Sequence, residues 1–350
     1  MMKIAVAVSG GVDSSLALLL VREQGYDPTA VHAFFRPPDQ EMLRVRDALA
    51  AVCRKHNVPF HVLDLSAAFQ ERIITPFVQD YCSGLTPNPC ALCNRRIKFD
   101  LLLRSALELG AQKLATGHYA RMQPGMDGGS GLFRGLDRAK EQSYFLSLLS
   151  PWQLDRACFP LGDWRKEETV AALQQRDVPV LATSESQEVC FIPDNDYRGF
   201  LERQSITLPG PGKILGSDGT VLARHHGLHR YTIGQRRGLG IPYSEPLYVL
   251  HKDVQANTLI VGTRDQLSSS VCLVGQVSML VGFEQWPAEV WVQTIYRHQA
   301  RPARVFRHGP LLRVEFHAPR SPATPGQVAA FYSSQGQVLG GGLIEDSTRL

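Results

Sequence analysis

The chain has 350 residues, of which 44% are hydrophobic and 20% are charged, and its net charge is +4. This length predicts two or three domains, and this composition is typical of a soluble globular protein. No apolar run is long enough to span a bilayer, and the N-terminus enters a strand without a signal-peptide pattern. Seven scattered cysteines, an odd number, argue against a secreted disulfide framework. We therefore expect a cytoplasmic protein, with no membrane contact, whose thiols are available for chemistry.

The first predicted elements are a strand over residues 3–8 and a helix over residues 16–25, joined by the turn Ser-Gly-Gly-Val-Asp-Ser-Ser at residues 9–15. A strand that runs through two glycines into a helix directs backbone N–H groups and a positive dipole end at one point, where phosphate binds. The turn resembles the SGGxDS loop of the PP-loop ATP pyrophosphatases, which cleave ATP between its α and β phosphates. The alternative is an ordinary glycine-rich turn.

Further strands over 29–35, 59–65 and 114–118 alternate with helices over 41–56 and 67–82, the second bent near Pro76. Strict alternation predicts an open parallel α/β sheet. Phe35 and Gly117 lie at the ends of two of these strands, beside the first turn, where nucleotides bind.

A second informative stretch contains Cys90 and Cys93. Asn88 is a good helix N-cap and Pro89 a good first residue, so both thiols are predicted in the first turn of a helix that runs to residue 109. The helix dipole and three following basic residues favour thiolate. Three interpretations stay open: a structural zinc site, a redox pair, or a sulfur-handling thiol that acts alone or as an Fe–S ligand. Cys190 follows in a polar segment; taken alone, it is typical of a packed, inert cysteine.

Later segments predict a surface loop over 123–131 and helices starting at Lys140 and Trp164. A Pro-Gly cluster over 208–212 indicates a boundary, and short strands follow. We predict an ATP-binding catalytic domain over 1–204, a small β-rich domain over 205–267 and an antiparallel β-barrel over 268–350. Residues 201–350 hold 15 Lys and Arg against 10 Asp and Glu. This surplus fits RNA binding or an Arg-rich solvated surface.

Together the motifs resemble the tRNA-specific 2-thiouridine synthase family over essentially the whole chain. They include SGGVDSS, TPNPCALCNRRIKF, TGHYAR, KEQSYFL, SQEVCFI, HRYTIGQRRGLGI and SPATPGQVAAFY. The resemblance implies that ATP, with Mg²⁺, adenylates the C2 oxygen of the wobble uridine in the tRNA anticodon loop. A persulfide, received from a sulfur-donor protein, then supplies sulfur and AMP leaves.

The resemblance also implies residue roles. Cys93 is the nucleophile and Cys190 the persulfide carrier, and the two can form a disulfide during turnover. Nucleotide contacts fall on Ala7, Val8, Ser9, Gly10, Gly11, Val12, Asp13, Ser14, Phe35 and Gly117. Contacts with tRNA fall on Asn88, Pro89, Cys90, His118, Lys140, Glu141, Gln142, Tyr296, Arg297 and Gln327. Asp13 is also a possible Mg²⁺ ligand.

The chain departs from the family pattern at three places. Cys90 stands where some members have an aspartate, Glu185-Ser186 stands where the family often has Asp-Ser, and Ile295 replaces the usual arginine. The cysteine at position 90 opens a second mechanism, in which Cys90, Cys93 and Cys190 hold a 4Fe–4S cluster that carries sulfide. Two rival functions remain: an amide-forming PP-loop ligase of nucleotide or cofactor metabolism, and a non-catalytic RNA-binding or Fe–S module.

Overall fold

The computed structural model describes residues 1–176, 189–192, 195–204, 206–320 and 322–346. The α-helices are α1 Val12–Glu23, α2 Gln40–Lys55, α3 Ser66–Phe69, α4 Thr75–Cys82, α5 Pro89–Cys93, α6 Leu103–Glu108, α7 Ser143–Leu146, α8 Pro151–Asp155, α9 Lys166–Gln174 and α10 Tyr197–Glu202. The first seven strands are β1 Lys3–Ala7, β2 Asp27–Phe34, β3 Phe60–Asp64, β4 Lys113–Ala115, β5 Ala120–Pro124, β6 Ser130–Arg134 and β7 Ala157–Cys158. The others are β8 Gly212–Gly216, β9 Val221–His225, β10 Tyr248–Asp253, β11 Thr258–Gly262, β12 Ser269–Met279, β13 Val290–Gln293, β14 Arg301–His308, β15 Leu311–Arg320, β16 Val328–Tyr332 and β17 Val338–Asp346.

The N-terminal part of the chain is built on a five-stranded sheet in the order β3-β2-β1-β4-β7, with every neighbouring pair parallel. β1 is central because its apolar run leaves Ile4, Ala5 and Val6 fully buried between the helical layers. The predicted parallel α/β sheet is therefore confirmed. The carboxyl ends of β1, β2 and β4 meet at one edge, which is where ligands bind in open α/β sheets.

The helix predicted over 67–82 contains a π-helical run, Gln70–Ile74, directly before Pro76. Proline has no N–H to donate to the carbonyl four residues earlier, which belongs to Arg72. Arg96 Nη1 donates to that carbonyl instead, at 3.3 Å. The winding of the helix thus changes beside Pro76, where the bend was predicted, and the carbonyl of Arg72 accepts a hydrogen bond from a side chain of the next helix.

The loop predicted over 123–131 is a β-hairpin. β5 and β6 pair antiparallel from Ala120 to Pro124, and only the glycine-rich residues between them form the turn. The prediction failed because it was based on the glycine-rich composition of the turn. It did not take into account Leu132 and Phe133, two apolar residues of β6 that are buried. Phe133 also forms a β-bridge with Gln337, so the hairpin joins the sheet domain to the C-terminal strands.

The C-terminal half contains two further sheets. β10-β11-β8-β9 form a four-stranded sheet, and β12-β15-β14-β13-β16-β17 close into a six-stranded antiparallel barrel. Both confirm the predicted fold class. Among the described residues, no helix is both long and apolar enough to cross a membrane.

Candidate active site

The turn after β1 is fixed by hydroxyl hydrogen bonds. Ser14 Oγ accepts from the backbone N–H of Ser9 at 3.1 Å and donates to the carbonyl of Gly11 at 3.0 Å. Gly10 has a φ of +88°, a conformation that favours glycine. Gly11 then caps α1 with no side-chain hydrogen bond of its own. The loop therefore presents backbone N–H groups at a helix start, the arrangement that binds phosphate.

The carboxylate of Asp13 lies beside this loop and is held by two donors. Tyr119 donates its hydroxyl to Asp13 Oδ1 at 2.7 Å, and Lys166 Nζ donates to the same oxygen at 2.6 Å. Lys166 is the first residue of α9, which packs against α1. Both donors bind Oδ1, so it is the other carboxylate oxygen of Asp13 that would reach Mg²⁺. One carboxylate together with ATP phosphates is an ordinary ligand set for Mg²⁺.

Gly117, which follows the neighbouring strand β4, packs directly against the backbone of the phosphate loop. A Cβ atom at this position would lie 2.8 Å from the carbonyl carbon of Asp13 and 2.9 Å from the backbone nitrogen of Ser14. Only glycine lets the two backbones approach so closely. Gly117 thus packs against the backbone of the phosphate loop and also lines the cavity that this loop borders.

That cavity has a volume of about 510 Å³ and contains the carboxyl edge of the parallel sheet. Ser9, Asp13 and Ser14 line one side, and Cys190 lines another. The aromatic wall is formed by Phe35 stacked on Phe69, with ring centroids 5.4 Å apart. Predicted nucleotide contacts and a predicted sulfur carrier therefore face the same space.

The helix that bears Cys90 and Cys93 begins as predicted. Asn88 accepts from the backbone N–H of Ala91 at 3.2 Å, and Pro89 occupies the first turn. The predicted thiolate is wrong for the free protein. Burial raises the pKa of Cys93 to about 12 and that of Cys90 to about 11, and in both cases it outweighs the opposing charge of Lys98. Desolvation thus overcomes the helix dipole.

Cys190 lies close to both helix thiols. Its negative charge would raise the pKa of Cys90 and Cys93, which places the three sulfurs in one neighbourhood. The side chain of Cys190 reaches solvent, although its crowded surroundings raise its pKa too. Within the described ranges, no three His, Cys, Asp or Glu side chains are arranged to hold a metal ion, so the ligand set of a cluster is not assembled there.

His118 and Gln142, predicted to contact tRNA, line the same cavity. His118 is buried between Phe99 and Phe159, and its Nδ1 lies 2.7 Å from the hydroxyl of Thr116. Burial, helped by the charge of Lys98, lowers the pKa of His118 well below its usual value. The imidazole is therefore neutral near neutral pH.

Gln327, another predicted tRNA contact, holds the segment before the cysteine helix. Its Nε2 donates to the carbonyls of Thr86 at 2.8 Å and Pro87 at 3.1 Å. Thr86 donates its own N–H to the carbonyl of Pro325 at 2.9 Å. We call these three hydrogen bonds the barrel latch, because they tie the cysteine helix to the loop before β16.

Glu141 is buried and contacts the protein itself. It pairs with Arg134 at 2.5 Å and accepts from the hydroxyl of Ser143 at 2.5 Å. Arg134 also lies 3.6 Å from the ring centre of Tyr332 in the barrel. A groove of about 470 Å³ opens beside this network, and it brings Glu141 together with Tyr296, Arg297, Arg138 and Trp291.

Three family models match the chain in order. The tRNA methyl transferase HUP domain covers residues 2–194, the tRNA methyl transferase PRC-barrel domain covers 198–263, and the aminomethyltransferase β-barrel domain covers 269–344. A tRNA-specific 2-thiouridylase MnmA of Nitratidesulfovibrio vulgaris is 49% identical over 347 residues, which cover 98% of this chain and 99% of that protein. The protein of the same name from Lawsonia intracellularis is 44% identical over 350 residues, with the same coverage.

This chain belongs to the tRNA-specific 2-thiouridylase family.

Membership of the 2-thiouridylase family confirms the resemblance predicted from the motifs. Sequence reasoning nevertheless missed several residues of the site. Lys98 was considered only for its charge near the two thiols, and Lys166, Arg138 and Trp291 were not singled out, yet all four line or support the two cavities. Their positions depend on tertiary contacts, and only the helix start at Lys166 carried a usable local signal. Residues 183–188, which include the Glu185-Ser186 departure, lie outside the described residues.

Proposed function

We propose that this protein performs the ATP-dependent 2-thiolation of the wobble uridine of tRNA. The observation that carries the proposal is the shared cavity of about 510 Å³, which is lined both by the phosphate loop and by Cys190. An enzyme that activates an oxygen with ATP and then replaces it with sulfur needs these two groups at one place. Membership of the 2-thiouridylase family supports the same activity.

The first step is adenylation. The C2 oxygen of uridine attacks the α-phosphorus of ATP, an O–P bond forms, and pyrophosphate leaves with the electron pair of the broken P–O bond. The N–H groups at the start of α1 and the hydroxyl of Ser9 would orient the phosphates, and the hydroxyl of Ser14 would hold the loop in shape. Asp13 would hold Mg²⁺, which neutralises phosphate charge when it is bound.

The second step replaces oxygen with sulfur. The terminal sulfur of a Cys190 persulfide attacks C2, a C–S bond forms, and AMP leaves with the electron pair of the C–O bond. The Cys93 thiolate then attacks the Cys190 sulfur, which forms a Cys93–Cys190 disulfide and leaves C2 bonded to a single sulfur. A dithiol reductant restores the two thiols. The proximity of Cys190 to Cys93 supports this route.

The RNA would approach from the side of the groove that contains Tyr296 and Arg297. An arginine and aromatic rings suit phosphate contact and base stacking. The wobble base lies in a single-stranded loop, so it can be turned into the cavity at low cost. We assign ATP chemistry to residues 1–204, and we assign support of the RNA to residues 205–267 and 268–350.

The test is a reconstituted assay with tRNA, Mg²⁺-ATP, a persulfide donor protein and a dithiol, with thiolated nucleosides measured by mass spectrometry. We expect Cys93→Ser and Cys190→Ser each to abolish thiolation while pyrophosphate release continues. Matched controls are Cys53→Ser and Cys272→Ser, at buried cysteines elsewhere in the described chain, which should keep activity.

Three results would redirect the proposal. Amidation with ammonia in place of thiolation would favour an amide-forming ligase. Thiolation that tracks iron content and is lost in Cys90→Ser would favour the cluster route. Absence of tRNA-dependent pyrophosphate release would favour a non-catalytic RNA-binding module.

A further inference from the structure

Lys98 occupies an unusual position in the cavity. Its side chain is half-buried and lines the same space as Ser14 and Cys190. Within the described ranges, no carboxylate pairs with it. By contrast, Arg36, which also lines the cavity, is paired with Asp39, and Lys166 is paired with Asp13. A half-buried ammonium group without a carboxylate is available to an anionic ligand.

The winding of the helix explains how Lys98 comes to this position. Residues Asn94–Leu102 form a π-helical run directly after Cys93. In an α-helix, residues five apart point about 140° away from each other. A π-helix repeats from residue i to i+5, so Lys98 falls near the face of Cys93. Gln153 Nε2 donates to the carbonyl of Arg95 at 2.7 Å, which is an external hydrogen bond within this run.

The positive charge of Lys98 acts on all three cysteines of the site. It favours the anionic form of Cys90, Cys93 and Cys190, against the stronger effect of burial. Of the other basic side chains that line the cavity, His118 is kept neutral by burial, and Arg36, which acts on Cys190 as well, is paired with Asp39. Lys98 is thus the cation that the nucleotide cavity and the sulfurs share in this part of the described chain.

We propose that Lys98 is a further catalytic residue, whose ammonium group stabilises the negative charges of the displacement step. These charges lie on the attacking sulfur before the C–S bond forms and on the phosphate of AMP after the C–O bond breaks. Lys98 transfers no atom in this step and supplies charge alone. This inference rests on the proposed function, because it concerns the second step of that reaction.

The test compares Lys98→Met with Lys98→Arg. In a single-turnover assay we expect Lys98→Met to slow thiolation about 100-fold, as loss of one group that stabilises a developing anion does. Pyrophosphate release should change less than about threefold, because the phosphate loop acts in that step. Lys98→Arg, which keeps the charge, should recover most of the rate.

A second measurement needs neither tRNA nor ATP. Alkylation of Cys190 at pH 8 should slow about fivefold in Lys98→Met, because the thiolate loses a nearby positive charge. The matched control is Lys113→Met, whose ammonium group lies near Cys158 instead. It should slow only the alkylation of Cys158 and leave thiolation unchanged. Thermal unfolding of each variant reports whether the fold is intact.

Two outcomes overturn the inference. Thiolation at the wild-type rate in folded Lys98→Met shows that the charge is not needed. An equal loss of pyrophosphate release and thiolation shows that Lys98 acts on ATP binding alone. If the wild-type protein does not thiolate tRNA, the proposed function itself falls, and Lys98 loses this role with it.

Discussion

The phosphate loop and the cysteine helix face one cavity but are held in different ways. The loop is fixed by contacts within its own domain, such as the hydrogen bonds between Ser9 and Ser14, five residues apart. The start of the cysteine helix is fixed by the barrel latch, in which Gln327 contacts a carbonyl 241 residues away in sequence. The phosphate loop therefore depends on packing within one domain, and the cysteine helix depends on the packing of separate domains.

The largest effect is expected from a substitution in the phosphate loop, which should impair pyrophosphate release and leave the cysteines unaffected. Asp13→Asn removes the charge that holds Lys166 and would hold Mg²⁺. We expect pyrophosphate release to fall about 100- to 1,000-fold. The alkylation rate of Cys190 should not change. Asp47→Asn, at an exposed aspartate of α2, is the control. A parallel loss of thiol reactivity would show that the two regions are not independent.

The second prediction concerns the sulfur side alone. The raised pKa of Cys190 leaves little thiolate at pH 7, so its alkylation rate should rise about tenfold per pH unit from pH 7 to 9. An ordinary cysteine, with a pKa of about 8.5, would level off within that range. The measurement is peptide mass spectrometry after timed alkylation, with Cys190→Ser identifying the peptide. A rate that levels off below pH 9 would contradict the prediction.

A smaller effect is expected where the sheet supports the loop. Gly117→Ala places a Cβ atom against the backbone of Asp13 and Ser14. We expect the KM for ATP to rise about 10- to 30-fold and the free energy of unfolding to fall by about 2 kcal/mol. Gly210→Ala is the control, because no atom lies within 4 Å of its added methyl group. An unchanged KM for ATP would mean that the phosphate loop shifts to accommodate the added methyl group without weakening ATP binding.

The smallest effect tests the barrel latch. Gln327→Leu leaves the carbonyls of Thr86 and Pro87 without their donor. We expect thiolation to fall about tenfold and the free energy of unfolding by about 1–2 kcal/mol, with pyrophosphate release unchanged. The exposed Gln255→Leu serves for comparison. Weaker tRNA binding with unchanged stability would instead assign Gln327 to direct RNA contact.

The sequence predicted the features that depend on local rules. Strand, glycine turn and helix were recognisable around residues 3–25, and the Asn88 cap and the C-terminal antiparallel β-barrel followed from pattern alone. Three features depended on distant partners and were missed. The π-helical run involves Gln153, the burial that raises the pKa of Cys93 comes from the packed core, and the Asp13 ion pair needs Lys166. No local pattern encodes such contacts.

The barrel latch also has a consequence for biosynthesis. Gln327 is translated 241 residues after Thr86, whose carbonyl it binds, and the phosphate loop is translated before either of them. Domains generally fold in the order in which they leave the ribosome. A nascent chain can therefore form its ATP-binding sheet long before its cysteine helix is anchored. The order of synthesis thus delays anchoring of the cysteine helix until the ribosome has translated the chain as far as Gln327.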